Sequence, residues 1–182
     1  MRKYLRLLPV SMTKIQTFFN LIQKILNINT VLLFMFTTSI FFLDRLSKIK
    51  IINYQLENSN KFFVNKYLNF ELVWNTGIGF GILNLEANIA YHSITLFILV
   101  VILLLIFFMA KSSSFEKYSY SLVLGGAIGN FYDRIIYYAV PDFIDFHINN
   151  YHWFTFNIAD IFITIGIILL VLNELIFKKY EK

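Results

Sequence analysis

The sequence predicts an all-α membrane protein with four transmembrane helices, and three observations carry that reading. First, 58% of its 182 residues are hydrophobic and only 15% are charged, with a mean hydropathy of +0.64. Soluble domains run about 45–50% apolar with about a quarter charged. A chain of this length encloses one modest core, which cannot hide the excess, so the bilayer is its natural solvent and one membrane domain is expected. Second, four apolar stretches approach the ~20 residues that a spanning helix needs. Third, ten of the 16 Lys and Arg lie before the first stretch, between the second and third, or after the fourth, while all five aspartates lie at the opposite ends. The positive-inside rule then places both termini in the cytoplasm and the aspartates at the outer face.

Residues 1–27 carry Arg2, Lys3, Arg6, Lys14 and Lys24 and no acid. With Ile15, Phe18, Phe19, Leu21, Ile22, Ile25 and Leu26 available for one face, they fit an interfacial N-terminal extension; a plain basic extension fits equally. No basic, aromatic-interleaved soluble module follows, so nucleic acid is not an expected partner. Cysteine is absent, which excludes disulfide and thiol chemistry. The first apolar run ends in DRLSK rather than a small-residue cleavage site, so it does not read as a cleaved signal peptide.

The membrane domain is expected over residues 28–182. The first span runs from about Ile28 to Ser47 and closes on Asp44-Arg45-Leu46-Ser47-Lys48, where Asp44 and Lys48 share a helix face and can pair. Residues 49–93 form an outer loop. Within it Leu68, Phe70, Leu72 and Trp74 alternate with polar residues, which argues a strand blurred by Val73. Asn75-Thr76-Gly77-Ile78-Gly79-Phe80-Gly81 follows, with glycines that allow close backbone approach but without the context of a phosphate loop. Asn84 to Ser93 reads as a short surface helix. The second span is Ile94 to Ala110, and the basic turn after it belongs inside. The third, Tyr118 to about Ile136, has Gly125, Gly126, Ala127 and Gly129 for close helix packing. It ends with Asn130, Asp133 and Arg134, and Gly126, Asn130 and Arg134 fall on one face. The fourth runs from about Phe156 to Phe177, opens with Asn157 and Asp160, and closes with Glu174, Lys178 and Lys179.

The chemistry concentrates on the outer face. A carboxylate near lipid is costly and marks function by default. Metal binding would draw on Asp142, Asp145, His147 and His152, but no His-Glu-x-x-His motif appears, and no metal or cofactor is expected. Serine or cysteine catalysis is poorly served, with no cysteine and no serine elbow. Two aspartates held close are better served: they share a proton, so one can deprotonate water while the other polarises a carbonyl. Asp142 and Asp160 are read as that pair, oriented by Asn157 and Arg134. On spacing alone Asp145 competes with Asp142.

These motifs together resemble the lipoprotein signal peptidases, or signal peptidase II, a family of bacterial membrane aspartyl proteases. DRLSK resembles the family's first-helix motif and NTGIGFG its Asn-led glycine loop. GGAIGNFYDR (Gly125 to Arg134) resembles the third-helix motif, and Asp142-Phe143 and FNIAD (Phe156 to Asp160) the two catalytic segments. The resemblance runs from about residue 31 to 177 in the right order. It implies Asp142 and Asp160 as the catalytic pair, supporting or substrate-contacting roles for Asn75, Gly126, Asn130, Arg134, Asn157 and Ala159, and structural roles for Asp44, Lys48 and Asp133. It also implies a small extracytoplasmic β-cradle, a short surface helix, and removal of signal peptides from lipid-modified prolipoproteins by a cut just before the diacylglyceryl-cysteine. A monomer among inner-membrane lipids, with both termini cytoplasmic, is the expected setting. Pro141, Phe154, Ile161 and Ile78 depart from the family pattern and bear on substrate preference. The alternatives are a small transporter or channel subunit with an acidic outer vestibule, a metal-dependent lipid hydrolase, and a glycine-rich face that serves only assembly.

Overall fold

The computed structural model describes residues 14–18, 27–58, 62–77, 89–149 and 151–176, and the side chains of all of these but 89 and 90. They belong to two compact units, 1–36 and 37–182. In the first, residues 14–18 are helical, with Ile15 and Phe18 exposed; residues 1–13 and 19–26 of the basic extension lie outside the described residues. Helix α1 (Ile28–Glu57) begins in this unit. Asn27 caps it: its Oδ1 accepts the Asn29 N–H at 2.9 Å and its carbonyl accepts the Val31 N–H at 3.0 Å, satisfying donors that a helix start leaves over.

The second unit holds the rest of α1, then β1 (Phe62–Asn65), β2 (Leu68–Asn75), α2 (Ile89–Lys111), α3 (Ser114–Tyr137), β3 (Val140–Ile148), β4 (Tyr151–Phe156) and α4 (Ile158–Ile176). Helices α1, α2 and α4 are long and apolar enough to cross a membrane. The third expected span is helical, but α3 is too polar to join them on composition. The reason lies in its neighbours. It packs against α2 and α4, and its buried residues include Ser119, Ser121, Gly125, Gly126, Gly129, Asp133 and Arg134. A helix enclosed by others can carry polarity that a lipid-facing one cannot. The outer surfaces are the reverse: Leu96, Phe97, Leu103 and Phe107 of α2, and Ile167, Ile168, Val171 and Leu175 of α4, are exposed.

The strand expected at Leu68–Trp74 is β2, but the sequence reading missed its three partners. The sheet is antiparallel with order β1-β2-β3-β4. Leu68, Phe70 and Leu72 turn one face toward a core of Ile51, Phe143 and Ile144, with Ile52, Tyr54 and Phe156 around it. That core explains a correction: the first helix does not stop near Ser47 but runs to Glu57, because Ile51, Ile52 and Tyr54 cover the sheet. Gln55 Oε1 also accepts the Leu72 N–H at 3.3 Å. A register shift between Phe70 and Val73 breaks the alternation there. Trp74 therefore leaves the core face, packs on Tyr137 with ring centroids 5.6 Å apart, and leaves Asn75 buried.

Several expected features fall partly outside the described residues: Ile78 to Gly81 of the glycine loop, the surface helix up to residue 88, and Lys178 and Lys179. From Ile89 the chain is already part of α2, which thus begins before the expected Ile94. Ser113 and Glu116 form the capping box that starts α3. Tyr138 ends it in the left-handed region, at φ 56°, and turns the chain into β3.

Candidate active site

Asp142 stands on β3 and is 2% exposed. Its Oδ2 accepts the Asn75 Nδ2 at 2.8 Å and its Oδ1 accepts the Asn157 Nδ2 at 2.6 Å. Asp160 lies in the first turn of α4, where it forms a reciprocal cap with Asn157. The Asn157 N–H donates to Asp160 Oδ2 and the Asp160 N–H to Asn157 Oδ1, both at 3.1 Å. This is the capping-box geometry built from an amide and a carboxylate. Asp160 Oδ1 accepts the Asn130 Nδ2 at 2.8 Å. Asn157 therefore donates to both carboxylates, which come from different elements. Each oxygen takes one N–H and keeps acceptor capacity for a proton or a water.

The electrostatics match this geometry. Burial pushes the Asp142 carboxyl up to about 7, and the nearby Asp160 charge adds to the rise. The Asn75 and Asn157 amides and the Lys48 charge pull it the other way. Asp145, the competitor on spacing, is directed elsewhere: its carboxylate meets His152 Nδ1 at 2.8 and 2.9 Å. Three positions along a regular strand reverse the face, which separates the two aspartates.

A second layer fixes the start of α4. Asp44 Oδ1 accepts the Ala159 N–H at 3.0 Å, and Asp44 Oδ2 accepts Lys48 Nζ at 2.8 Å, the expected pair. Lys48, fully buried, also donates to Asn130 Oδ1 at 2.8 Å and to Asp133 Oδ2 at 2.7 Å. Asp133 Oδ1 takes Arg45 as well. Close helix contact makes this reach possible. A Cβ on Gly129 would lie 2.6 Å from Asp44 Oδ2, and one on Gly126 would lie 2.5 Å from the Ala159 carbonyl oxygen.

The expected site residues thus gather around the pair, with one change of role. Arg134 does not reach an aspartate: it donates to the Gly77 carbonyl, while its own carbonyl accepts the Tyr91 hydroxyl at 2.8 Å. It anchors the loop after Asn75, whose Oδ1 accepts the Gly77 N–H at 2.9 Å. Sequence reasoning missed Arg45 and Tyr91. The first adjoins Asp44 in DRLSK and could have been found there; the second gave no signal within its apolar stretch.

The model of the family described as signal peptidase (SPase) II matches residues 36–176. The chain is similar to the lipoprotein signal peptidase of Pelagibacter ubique (strain HTCC1062), at 44% identity over 140 residues, covering 76% of this chain and 84% of that protein. It is 37% identical over 144 residues to the lipoprotein signal peptidase of Coxiella burnetii (strain RSA 331 / Henzerling II), covering 78% and 88%. Among solved structures it resembles a bacterial membrane enzyme determined by the in meso method at 2.3 Å, with a TM-score of 0.67 and 27% identity over 82% of this chain and 91% of that one. A second such enzyme, at 1.9 Å, gives a TM-score of 0.66 and 30% identity, covering 80% and 93%.

Proposed function

The chain belongs to the signal peptidase II family, and we propose that Asp142 and Asp160 are the carboxylate pair with which it hydrolyses its substrate. It is a peptidase of the bacterial membrane that removes signal peptides from prolipoproteins. The single observation behind the site assignment is Asn157, whose side-chain amide and backbone N–H hold one carboxylate each.

In the active form the pair carries one proton. Asp142, pushed up to about 7, holds it and donates a hydrogen bond to the scissile carbonyl; Asp160 is the ionised partner and accepts a proton from water. The water oxygen bonds to the carbonyl carbon, and the tetrahedral intermediate keeps its oxygen on Asp142. When the C–N bond breaks, Asp160 returns its proton to the departing amine, and Asp142 is again the acid as the new carboxyl group forms. A water-poor site strengthens each of these interactions. Asn75, Asn130 and Asn157 position the carboxylates. Asp44, Lys48, Asp133, Gly126 and Ala159 fix the helix that carries Asp160, and Arg134 holds the Gly77 loop.

The finer reading follows from the same residues. The chain crosses the membrane four times, α3 adding a span to those of α1, α2 and α4, with both termini cytoplasmic and the pair at the outer face. It acts as a monomer among membrane lipids, with residues 1–27 as an interfacial extension of the peptidase domain 28–182, and it cuts before the diacylglyceryl-cysteine. The relatives give the transporter alternative no support.

The test is cleavage of a lipid-modified precursor by Asp142→Asn and Asp160→Asn, each checked for insertion and folding. Both should be inactive; full activity in either overturns the pair.

A further inference from the structure

The far half of the β3–β4 hairpin carries a polar cluster that the peptidase chemistry does not use. Asp145 and His147 are two apart on β3 and share a face. His152 of β4 is the cross-strand partner of His147, and the two rings stack with centroids 5.1 Å apart. Asp145 and His147 are buried, at 3% and 7% exposure, while the His152 side chain is 48% exposed. One ligand atom from each of the three lies within 4.8 Å of the others. Asp145 Oδ2 is 2.8 Å from His152 Nδ1 and 3.5 Å from His147 Nδ1. Despite that proximity His147 Nδ1 makes no hydrogen bond. A buried ring nitrogen that lies 3.5 Å from a carboxylate and makes no hydrogen bond calls for an explanation.

We propose that Asp145, His147 and His152 form a binding site for a divalent transition-metal ion, with Zn²⁺ the best match. Two imidazoles and one carboxylate, with a position left for water, are a zinc ligand set. Tetrahedral ligands at ~2.0–2.1 Å from the ion lie about 3.3 Å from one another, and the observed 2.8 and 3.5 Å straddle that spacing. Ca²⁺ and Mg²⁺ favour oxygen ligands, of which the cluster offers one carboxylate. The ion would satisfy the His147 nitrogen, and the exposed His152 ring gives it access. Its position would join β3 to β4, the strands that carry Asp142 and lead into Asn157.

The test uses the untagged full-length protein in detergent, titrated with Co²⁺ and read by visible absorption. The expected result is a band that saturates at one Co²⁺ per chain and disappears on adding Zn²⁺. His152→Ala, at an exposed position, should bind Co²⁺ at least about tenfold more weakly, and His92→Ala should bind like the wild type. Zn²⁺ should raise the Tm of the wild type by a few degrees and leave that of His152→Ala unmoved. No saturable band in the wild type, or undiminished binding by His152→Ala, overturns the site. So does an equal loss in His92→Ala. Precursor cleavage by His152→Ala should persist, so a failed metal site leaves the carboxylate pair untouched.

Discussion

Replacing Asn75 by alanine isolates one of the two amides on Asp142. The Asn75 Nδ2 donates to Asp142 Oδ2 at 2.8 Å, a bond that favours the ionised carboxylate and so holds the Asp142 pKa down from where burial and Asp160 would take it. A hydrogen bond to a charged group contributes about 1.5–3 kcal/mol and one to a neutral group about 1 kcal/mol. The difference, about 0.5–2 kcal/mol, is what Asn75→Ala withdraws from the ionised form. At 1.36 kcal/mol per pKa unit this is a rise of about one unit, from about 7 to roughly 8. The active form of the pair carries one proton, so the alkaline limb of kcat/KM reports its loss. The assay is cleavage of a lipid-modified precursor peptide in detergent from pH 5 to about 10, comparing limbs rather than absolute rates. Asn75 also orders the Gly77 loop, so kcat will fall; loop damage alone lowers the plateau without moving the limb upward. An alkaline limb that stays near 7 or shifts down would refute the reasoning.

Three further outcomes follow from the same geometry. Asp142→Asn should gain stability relative to the wild type as pH rises. The folded carboxyl keeps its proton up to about 7 whereas its ordinary pKa is 3.8, so the folded wild type loses stability across that window. The gain is at most about 4 kcal/mol, at 1.36 per unit, less a hydrogen bond the new amide cannot accept; a Tm difference that moves against the variant with pH contradicts this. Gly126→Ala must push the Ala159 carbonyl away and shift Asp160 with it. A displacement near 1 Å can cost about 100-fold, to be read as kcat/KM in protein that still elutes as a single species. Lys48→Met strands Asp44 in the core and leaves Asp133 with Arg45 alone. A broken buried pair costs about 3–5 kcal/mol, enough to lower the Tm sharply, and wild-type thermal stability would show the lysine to be dispensable.

The helices and the polar contacts at their ends were legible because their signals are local, whereas the proposed pairing of Asp142 with Asp160 drew on the family resemblance. Apolar runs mark helices that lipid surrounds, and Asp44 with Lys48, or Asn157 with Asp160, sit at helical spacing. The sheet was legible only at Leu68–Trp74, where one face meets a core and the other does not. In β3, Val140 to Asp145 are all buried, so no alternation is left to read. In β4 the residues Tyr151 to Phe154 are all exposed, with the same effect. The end of α1 was missed because Ile51, Ile52 and Tyr54 answer to the sheet, a tertiary demand absent from a hydropathy window. In the sequence the choice of Asp142 over Asp145 rests on the family resemblance alone; the strand parity that separates the two needs the strand first.

Asp160 illustrates why so much of the polar chemistry sits away from the reacting atoms. A helix start leaves N–H groups without partners and a partial positive charge, so a carboxylate in the first turn is held in place only if those donors are committed. Asn157 takes the Asp160 N–H, and Asp44, reaching in from α1, takes the Ala159 N–H. Asp44 can reach only because Gly129 has no side chain in its path, and it pairs there with Lys48, 2.8 Å away. Lys48 in turn needs Asp133 and Asn130, and Asn130 returns its amide to Asp160 Oδ1. The chain of contacts closes on the carboxylate where it began. A positive charge on α1, an asparagine and an aspartate on α3 and a cap on α4 therefore act on one side chain, and each depends on the helices standing as close as their glycines permit.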